Sequence, residues 1–330
     1  MRVGRGRFVF RSERVHSNPD LLADCLRSIH AATRALSFEV WVVDNASDGR
    51  GVDEMRAEFP QVRWLFNAQR LGFSANHNQV LSQARGRYYC VLNDDTVIHD
   101  RALDELVAYV DAHPRIGVAG PRLLNPDGTI QYSTFRFPGL VTELAGLGYL
   151  PRRPHGLKER GFDPAHLRDE PAEVDWVLGA CLVIRNDALR TVGLLDSDLS
   201  PVANNEEVDW CRRAWKAGWK VAFCPAARVM HYGGQSLWPG GRRGTNRTRV
   251  EMMRTRLAYS AKHDGRWVAS AAAAVYALTL PWNVLVMFQS WVRGHPPGTK
   301  VWDDLTTRAA LAWSGAGFAW DLFHRPKRIR

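Results

Sequence analysis

Between residues 38 and 113 the chain alternates short apolar runs with helix-length amphipathic segments, and each run gives way to a polar residue. "FEVWVVDN" (38–45), "VRWLF" (62–66) and "RYYCVLNDD" (87–95) read as strands. "VDEMRAEF" (52–59), "GFSANHNQVLSQAR" (72–85) and "RALDELVAYVDAH" (101–113) read as helices, the last with Leu103, Leu106, Val107 and Val110 on one face. Strand alternating with helix demands crossover connections, so the expected fold is α/β, with a mostly parallel sheet flanked by helices. In such sheets ligands bind beyond the carboxyl ends of the strands. Asp44, Asn67 and the Asn93-Asp94-Asp95 cluster all fall at those ends.

Adjacent carboxylates at the end of a buried strand repel one another and resist desolvation unless a cation lies beside them. Hard oxygen ligands suit Mg2+ or Mn2+, which in turn hold phosphate oxygens. The competing reading is a helix cap, with Asp95 or Asp100 serving the helix that starts near Arg101. Further along, "VDWVLGACLVIRND" (174–187) reads as a strand pair with Gly179 permitting close backbone approach, followed by a short helix. Glu206, Glu207 and Asp209 then crowd the first turn of a helix. The helix dipole favours negative charge there, which accounts for one or two acids more readily than for three. His231 ends the strand-like "ARVMH" before a glycine-rich, arginine-rich loop up to Arg249, which reads as either a basic lid over diphosphate or a solvated loop.

A net charge of +10 calls for an anionic partner, whether nucleic acid, a phosphorylated small molecule or a membrane surface. Aromatic platforms interleaved with basic residues are not evident, which argues against nucleic acid. The five cysteines form no CxxC pair, so neither a disulfide framework nor a zinc knuckle is expected, and a reducing cytoplasm fits them best. "MRVGRGRFVF" has no long apolar stretch, so a secretory signal is not supported.

Seven motifs occur in order: "VVDNASDG", "LGFSANHNQV", "LNDDT", "VAGPRLLNPDGTIQYS", "VDWVLGACLVIR", "EEVDWCRRAWKAGWKV" and "VMHYGGQS". Together they resemble the inverting glycosyltransferases of family 2, which have a GT-A fold, and in particular the rhamnosyltransferase-like branch that builds cell-surface polysaccharides. The resemblance runs from about Asn18 to about Ser236. It implies that Asp44, Asn45 and Ser47 meet the base and ribose of a nucleoside-diphosphate sugar, with Asn67, Gly72 and Asn76 completing that pocket. Asn93, Asp94 and Asp95 match the D-x-D motif, with Asn in place of the opening Asp, and Asp95 with His231 is expected to hold Mg2+ or Mn2+. Glu207 falls where the family has a catalytic Asp and is the expected general base, with Glu206 the neighbouring alternative. Trp176 and Gly179 are expected on the acceptor side, where an indole face stacks on a sugar, with a buried core Trp the equal alternative. The resemblance favours dTDP-rhamnose as donor, with UDP and GDP the other bases open, and a glycan or a polyprenyl-linked sugar as acceptor.

The resemblance breaks at the N-terminus, where "FVF" and its charged neighbours stand in place of an aliphatic central strand, so a divergent or truncated first strand is expected. Residues 1–245 are read as the GT-A domain and 246–330 as a helical, membrane-associating region. No charged side chain occurs from Trp267 to Val292, a length that would cross about 30 Å of hydrocarbon. Three readings stay open for it: a transmembrane helix, an interfacial hairpin bent at Pro281, or a buried helix pair. The amphipathic, basic segment 305–330 favours the hairpin and a place at the cytoplasmic face of the cell membrane. The alternatives to an active enzyme are a catalytically impaired GT-A-like scaffold and a basic membrane-surface binding protein.

Overall fold

The computed structural model describes residues 5–12, 19–47, 49, 51–83, 85–139, 163–199, 205–233 and 246–274, with a few positions beyond them. The apolar runs form strands β1 (Arg5–Ser12), β2 (Ser37–Asp44), β3 (Arg63–Phe66) and β4 (Tyr88–Asn93). Helices α1 (Pro19–Ala32), α2 (Val52–Glu58) and α3 (Phe73–Leu81) connect them. These four strands lie in the order β3-β2-β1-β4 and pair in parallel, as right-handed crossovers through helices require. The carboxyl ends of β2 and β4 flank that of β1, with Ser12 opposite Asp44 and Arg11 opposite Asn93. Arg5–Ser12 therefore takes the central place between β2 and β4. The alternation of "GRFVF" pairs on both sides, even though its sequence is less aliphatic than its central position led us to expect.

Past β4 the chain makes a two-residue turn at Asp94-Asp95 into β5 (Thr96–Ile98), then α4 (Ala102–Ala112) and β6 (Ile116–Leu124). A hairpin leads to β7 (Ile130–Gln131), and β8 (Thr134–Phe135) follows. After the 3₁₀ turn Pro164–Leu167 come β9 (Ala172–Val174), β10 (Trp176–Val177), β11 (Cys181–Arg185), α5 (Asn186–Val192), α6 (Glu206–Lys216) and β12 (Lys220–His231). The sheet continues β4-β11-β6-β12-β5, with β11 antiparallel to both β4 and β6. The sheet is thus mixed. Strand direction past β4 depends on which edge the returning chain meets, and periodicity does not encode that.

Apolar side chains hold the layers together. α1 buries Leu22, Ala23, Cys25, Leu26, Ile29 and Ala32 at i, i+3, i+4 spacing against one face of the sheet. Each fully buried Leu or Ile there stabilises by roughly 2 kcal/mol. Tyr89, Val91, Val118, Leu182 and Ile184 form the opposite face with Trp210 and Cys211 of α6. Arg101, in left-handed backbone at φ 58°, caps α4 without a side-chain bond, so neither Asp95 nor Asp100 serves as that cap. Asp100 pairs instead with Arg34 at 2.9 Å, and buried Asp104 accepts the Arg34 and Ala35 amides at 2.9 and 3.0 Å. All five cysteines are buried and free.

The chain divides into two compact units, Met1–Phe137 with Phe162–Gly241, and Pro138–Gly161 with Arg242–Arg330. The second contains α7 (Asn246–His263), further helical backbone over 266–274, and an apolar cluster of Met253, Leu257, Ala269, Ala272, Ala273 and Phe318. Among the described residues no helix is long and apolar enough to cross a membrane. Residues 275–291, which carry the hairpin reading at Pro281, and 234–245, which carry the basic loop, lie outside the described residues.

Candidate active site

One corner is built at the ends of β2 and β3, where the Asn67 amide donates to the Asp44 carbonyl at 2.9 Å. Buried Asp44 accepts the Ser47 amide at 3.0 Å and its hydroxyl at 2.7 Å, so an Asx turn reverses the chain beside the strand end. Asn45 closes on Leu71 from both sides: its Nδ2 donates to the Leu71 carbonyl at 2.9 Å and its Oδ1 accepts the Leu71 amide at 2.8 Å. Asn67 Nδ2 donates to Asn76 Oδ1 at 2.7 Å and to Asn45 Oδ1 at 3.3 Å, while its own Oδ1 accepts from Gln79 at 3.0 Å. Gly72 caps α3 in extended backbone, and its carbonyl accepts the amide of fully buried Asn76. Asp44, Asn45, Ser47, Asn67, Gly72 and Asn76 are thus brought together, but the three amide side chains spend most of their capacity on the Leu71 backbone, Gln79 and each other. α3 stops at Leu81, four residues before the expected end.

A second corner forms where β5 pairs with the end of β12. His231 lies opposite Thr96, and one step further the Tyr232 amide donates to the Asp95 carbonyl at 3.0 Å. This ladder sets His231 Nε2 3.3 Å from Asp95 Oδ1, with Asn93 Nδ2 3.5 Å from the same nitrogen. Asp95 is 3% exposed and His231 7%, and Asp95 Oδ1 has no hydrogen-bond partner. Asp94 is half-buried in the turn between them and the strand. Below the turn the Thr96 hydroxyl donates to the Asn93 carbonyl at 2.7 Å, and Cys25 Sγ lies 3.5 Å from that hydroxyl. Burial, opposed by the Thr96 hydrogen bond, drives the Cys25 thiol far above its ordinary value and leaves it inert.

Sequence reasoning missed Gln131. Its Oε1 is 2.7 Å from His231 Nδ1, and its Nε2 donates to the His231 carbonyl at 3.2 Å and to Asn125 Oδ1 at 2.9 Å. The signal was present in "NPDGT": Pro after Asn and Gly at the fourth position specify a turn, which here closes with the Gly128 amide on the Asn125 carbonyl at 2.9 Å. That turn folds β7 back on β6 with Gln131 opposite Leu123.

The third corner is the start of α6. Asn205 caps it in left-handed backbone at φ 68°. Asp209, fully buried, pairs with Arg213 at 2.8 Å, and Arg213 ties down the Val192 and Leu194 carbonyls at 2.8 and 2.9 Å, so this third acid serves the scaffold. Glu206 is 1% exposed, whereas Glu207 is half-buried. Glu207 borders a small apolar cavity lined by Leu182, Ile184, Leu195, Trp210 and Cys211. Burial pushes the Glu207 pKa up, and hydrogen bonds from the backbone amides of Glu207, Gly179 and Val208 oppose the rise without cancelling it.

Gly179 joins the second and third corners. A methyl group on it would sit 3.5 Å from the Glu207 carboxyl, and the next residue, Ala180, accepts the Asn93 amide on its carbonyl at 2.9 Å. Glu207 and Asn93 therefore contact neighbouring residues of one strip of backbone. Trp176 lies on the two-stranded ribbon β8–β10, stacked on Phe135 at 4.2 Å with its indole N–H on the Arg136 carbonyl, so one ring face is already covered.

Among the described residues no group of three or more His, Cys, Asp or Glu side chains gathers to hold a metal. Two do face each other without a hydrogen bond between them, and a buried carboxylate oxygen against an imidazole nitrogen is an arrangement that a divalent cation relieves. The donor set of one carboxylate and one imidazole fits Mg2+ or Mn2+ completed by phosphate oxygens and water.

An α/β sheet with acids, amides and a histidine at the strand ends defines a GT-A-like glycosyltransferase fold. Two solved structures share it: GalNAc-T7 with UDP, GalNAc and Mn2+, at TM-score 0.58 and 16% identity over 98% of this chain and 58% of that one, and the mannosyltransferase PcManGT from Pyrobaculum calidifontis with GDP-Man and Mn2+, at TM-score 0.56 and 16% identity over 97% of this chain and 88% of that one. The sequence pattern of Glycosyltransferase like family 2 matches residues 15–270, and the chain belongs to that family. Among its relatives, the N-acetylglucosaminyl-diphospho-decaprenol L-rhamnosyltransferase of Mycobacterium tuberculosis is 28% identical over 74% of this chain and 81% of its own. The O-antigen biosynthesis protein RfbC of Myxococcus xanthus is 27% identical over 65% of this chain and 16% of its own.

Proposed function

We propose that this glycosyltransferase moves a sugar, with rhamnose favoured, from a nucleoside diphosphate (dTDP favoured) to a hydroxyl of a polyprenyl-linked or cell-surface glycan, inverting the anomeric centre. The observation that carries this reading is the approach of Asp95 Oδ1 and His231 Nε2 to 3.3 Å, while Glu207 lies against Gly179, whose neighbour Ala180 accepts the Asn93 amide. Asp95 and His231 would hold Mg2+ or Mn2+, which stabilises charge developing on a leaving diphosphate. Glu207 takes the proton from the acceptor hydroxyl while that oxygen attacks the face of the sugar opposite the diphosphate. A carboxylate raised by burial is a stronger base than an exposed one, so desolvation serves this step. Glu206, buried on the inner side of the helix, is the poorer candidate. Asp44 and Ser47 offer the nucleotide its nearest groups, while Asn45, Asn67 and Asn76 position that turn from behind. The L-rhamnosyltransferase relative supports the choice of sugar and of lipid-linked acceptor.

Residues 1–245 supply catalysis in this reading, and 246–330 attach the enzyme to the cytoplasmic membrane face through the amphipathic, basic segment at their end. Incubation with dTDP-rhamnose, UDP- and GDP-sugars plus Mn2+ and a polyprenyl-diphosphate-linked acceptor, followed by NMR of the product linkage, tests it. The expected product has inverted configuration. Retention of configuration, or turnover unaffected by chelation, removes the mechanism. Failure to bind anionic vesicles removes the membrane part alone.

A further inference from the structure

We propose that Gln131 is a positioning residue for His231. Together with the Asn125–Thr129 turn, it locks the imidazole in the tautomer whose proton is on Nδ1, so that Nε2 presents a lone pair towards Asp95. The proposal rests on the cation reading of that corner for its purpose, but not for its geometry.

Each link of the turn fixes the direction of the next. The Asp127 carboxylate can only accept, and it takes the Thr129 hydroxyl proton at 2.6 Å and the Thr129 amide at 3.0 Å. The Thr129 hydroxyl hydrogen bond, followed by that of the amide, holds the Asp127 pKa below the ordinary carboxylate range. With its proton so committed, Thr129 Oγ1 is an acceptor for Asn125 Nδ2 at 2.9 Å. Asn125 therefore turns its Oδ1 to Gln131, whose Nε2 donates there at 2.9 Å and to the His231 carbonyl at 3.2 Å. Both donor bonds agree on the same amide orientation, and they leave Gln131 Oε1 as the atom 2.7 Å from His231 Nδ1. An amide oxygen has no proton to give, so Nδ1 must carry one. On the far side of the ring, Nε2 faces the donor Asn93 Nδ2 at 3.5 Å and Asp95 Oδ1 at 3.3 Å; a cation seated against that carboxylate keeps the nitrogen unprotonated.

Gly233 keeps the relay compact. In left-handed backbone at φ 70°, its position would put a methyl group 3.4 Å from Gln131 Nε2. The arrangement is the one that metal-binding histidines generally need, because the nitrogen remote from the ion is held by an acceptor that orients the ring. Here that acceptor is an amide, and its orientation is set by a chain of bonds ending at an ionised surface carboxylate.

The test uses the full chain with 15N-labelled histidine. Long-range 1H–15N spectra of metal-free wild type are expected to show His231 with its proton on Nδ1. Gln131→Leu should mix the tautomers or invert them and weaken Mn2+ binding, measured by EPR with Mn2+ alone, by at least ~10-fold. Gln131→Glu, which keeps an acceptor oxygen, should preserve the tautomer and hold Mn2+ affinity within a few-fold of wild type. Thr129→Val is remote from the ring and guards against a misfolded Gln131→Leu; it should loosen the tautomer preference with the Asp95 environment intact. A His231 tautomer unchanged in both Gln131→Leu and Thr129→Val overturns the proposal. A wild type that shows the Nδ1–H tautomer yet takes up no Mn2+ overturns the cation reading instead and supports the lock.

Discussion

The two polar corners of the sheet treat their hydrogen-bonding groups in opposite ways. At the ends of β2 and β3, Asn45, Asn67 and Asn76 bond one another and the Leu71 backbone, so the corner is nearly complete as it stands. At the β5–β12 junction a buried carboxylate oxygen and a ring nitrogen stand 3.3 Å apart with no hydrogen bond between them. A saturated network rigidifies; a buried carboxylate oxygen with no hydrogen bond asks for something positive. The difference teaches that residues grouped by one family pattern divide into those that shape the pocket and those that await a partner.

Glu207→Gln should break the comparison most visibly, lowering kcat by roughly 10²–10⁴-fold if Glu207 is the base. Stability should move the other way. The folded-state pKa of Glu207 is raised, so its folded form loses stability as pH climbs from the ordinary carboxylate value through the raised one. Gln has no such loss, so the variant's Tm relative to wild type should grow across that window, and a falling difference in thermal melts would contradict the burial argument. Next in size, Asp95→Asn should reduce transfer by about 100-fold, the rate equivalent of roughly 3 kcal/mol, and Mn2+ should no longer rescue chelator-treated protein. Full rescue would place the cation elsewhere.

Asn76→Ala probes the saturated corner. Unmade buried hydrogen bonds cost about 1–3 kcal/mol, equivalent to a drop of several degrees in Tm, while kcat should change less than about five-fold. A large kcat effect with unchanged Tm would move Asn76 from scaffold to ligand contact. Gly179→Ala should matter least, because its Cβ would meet the Glu207 carboxyl at an ordinary 3.5 Å. Loss of activity comparable to that of Glu207→Gln would show that the acceptor passes over Gly179.

Much of this was legible beforehand for simple reasons. The parallel block β3-β2-β1-β4 follows from alternating periods, and the acids at its ends stand out because charge at a strand terminus is costly. The antiparallel insertion of β11 was not legible, since nothing local in "CLVIR" distinguishes one direction from the other. Arg5–Ser12 was undervalued because its charges hid an alternating strand. Asp209 looked like part of an acidic site until Arg213, one helical turn on, proved to be its partner. Trp176 read equally as an acceptor-side platform or a core side chain, and only the ribbon brings Phe135 onto its face. Gln131 was overlooked because one amide in a short strand carries no mark of its own; its importance comes from the turn that aims it.

β5 is three residues long and is the last strand of the sheet on its side. Asp95 sits in the turn that enters it and His231 faces it from β12, so fraying of that margin separates the two prospective cation ligands. A seated ion would act as a rivet through the hem, slowing amide exchange at Thr96–Ile98 and closing an edge to which a neighbouring chain could otherwise pair.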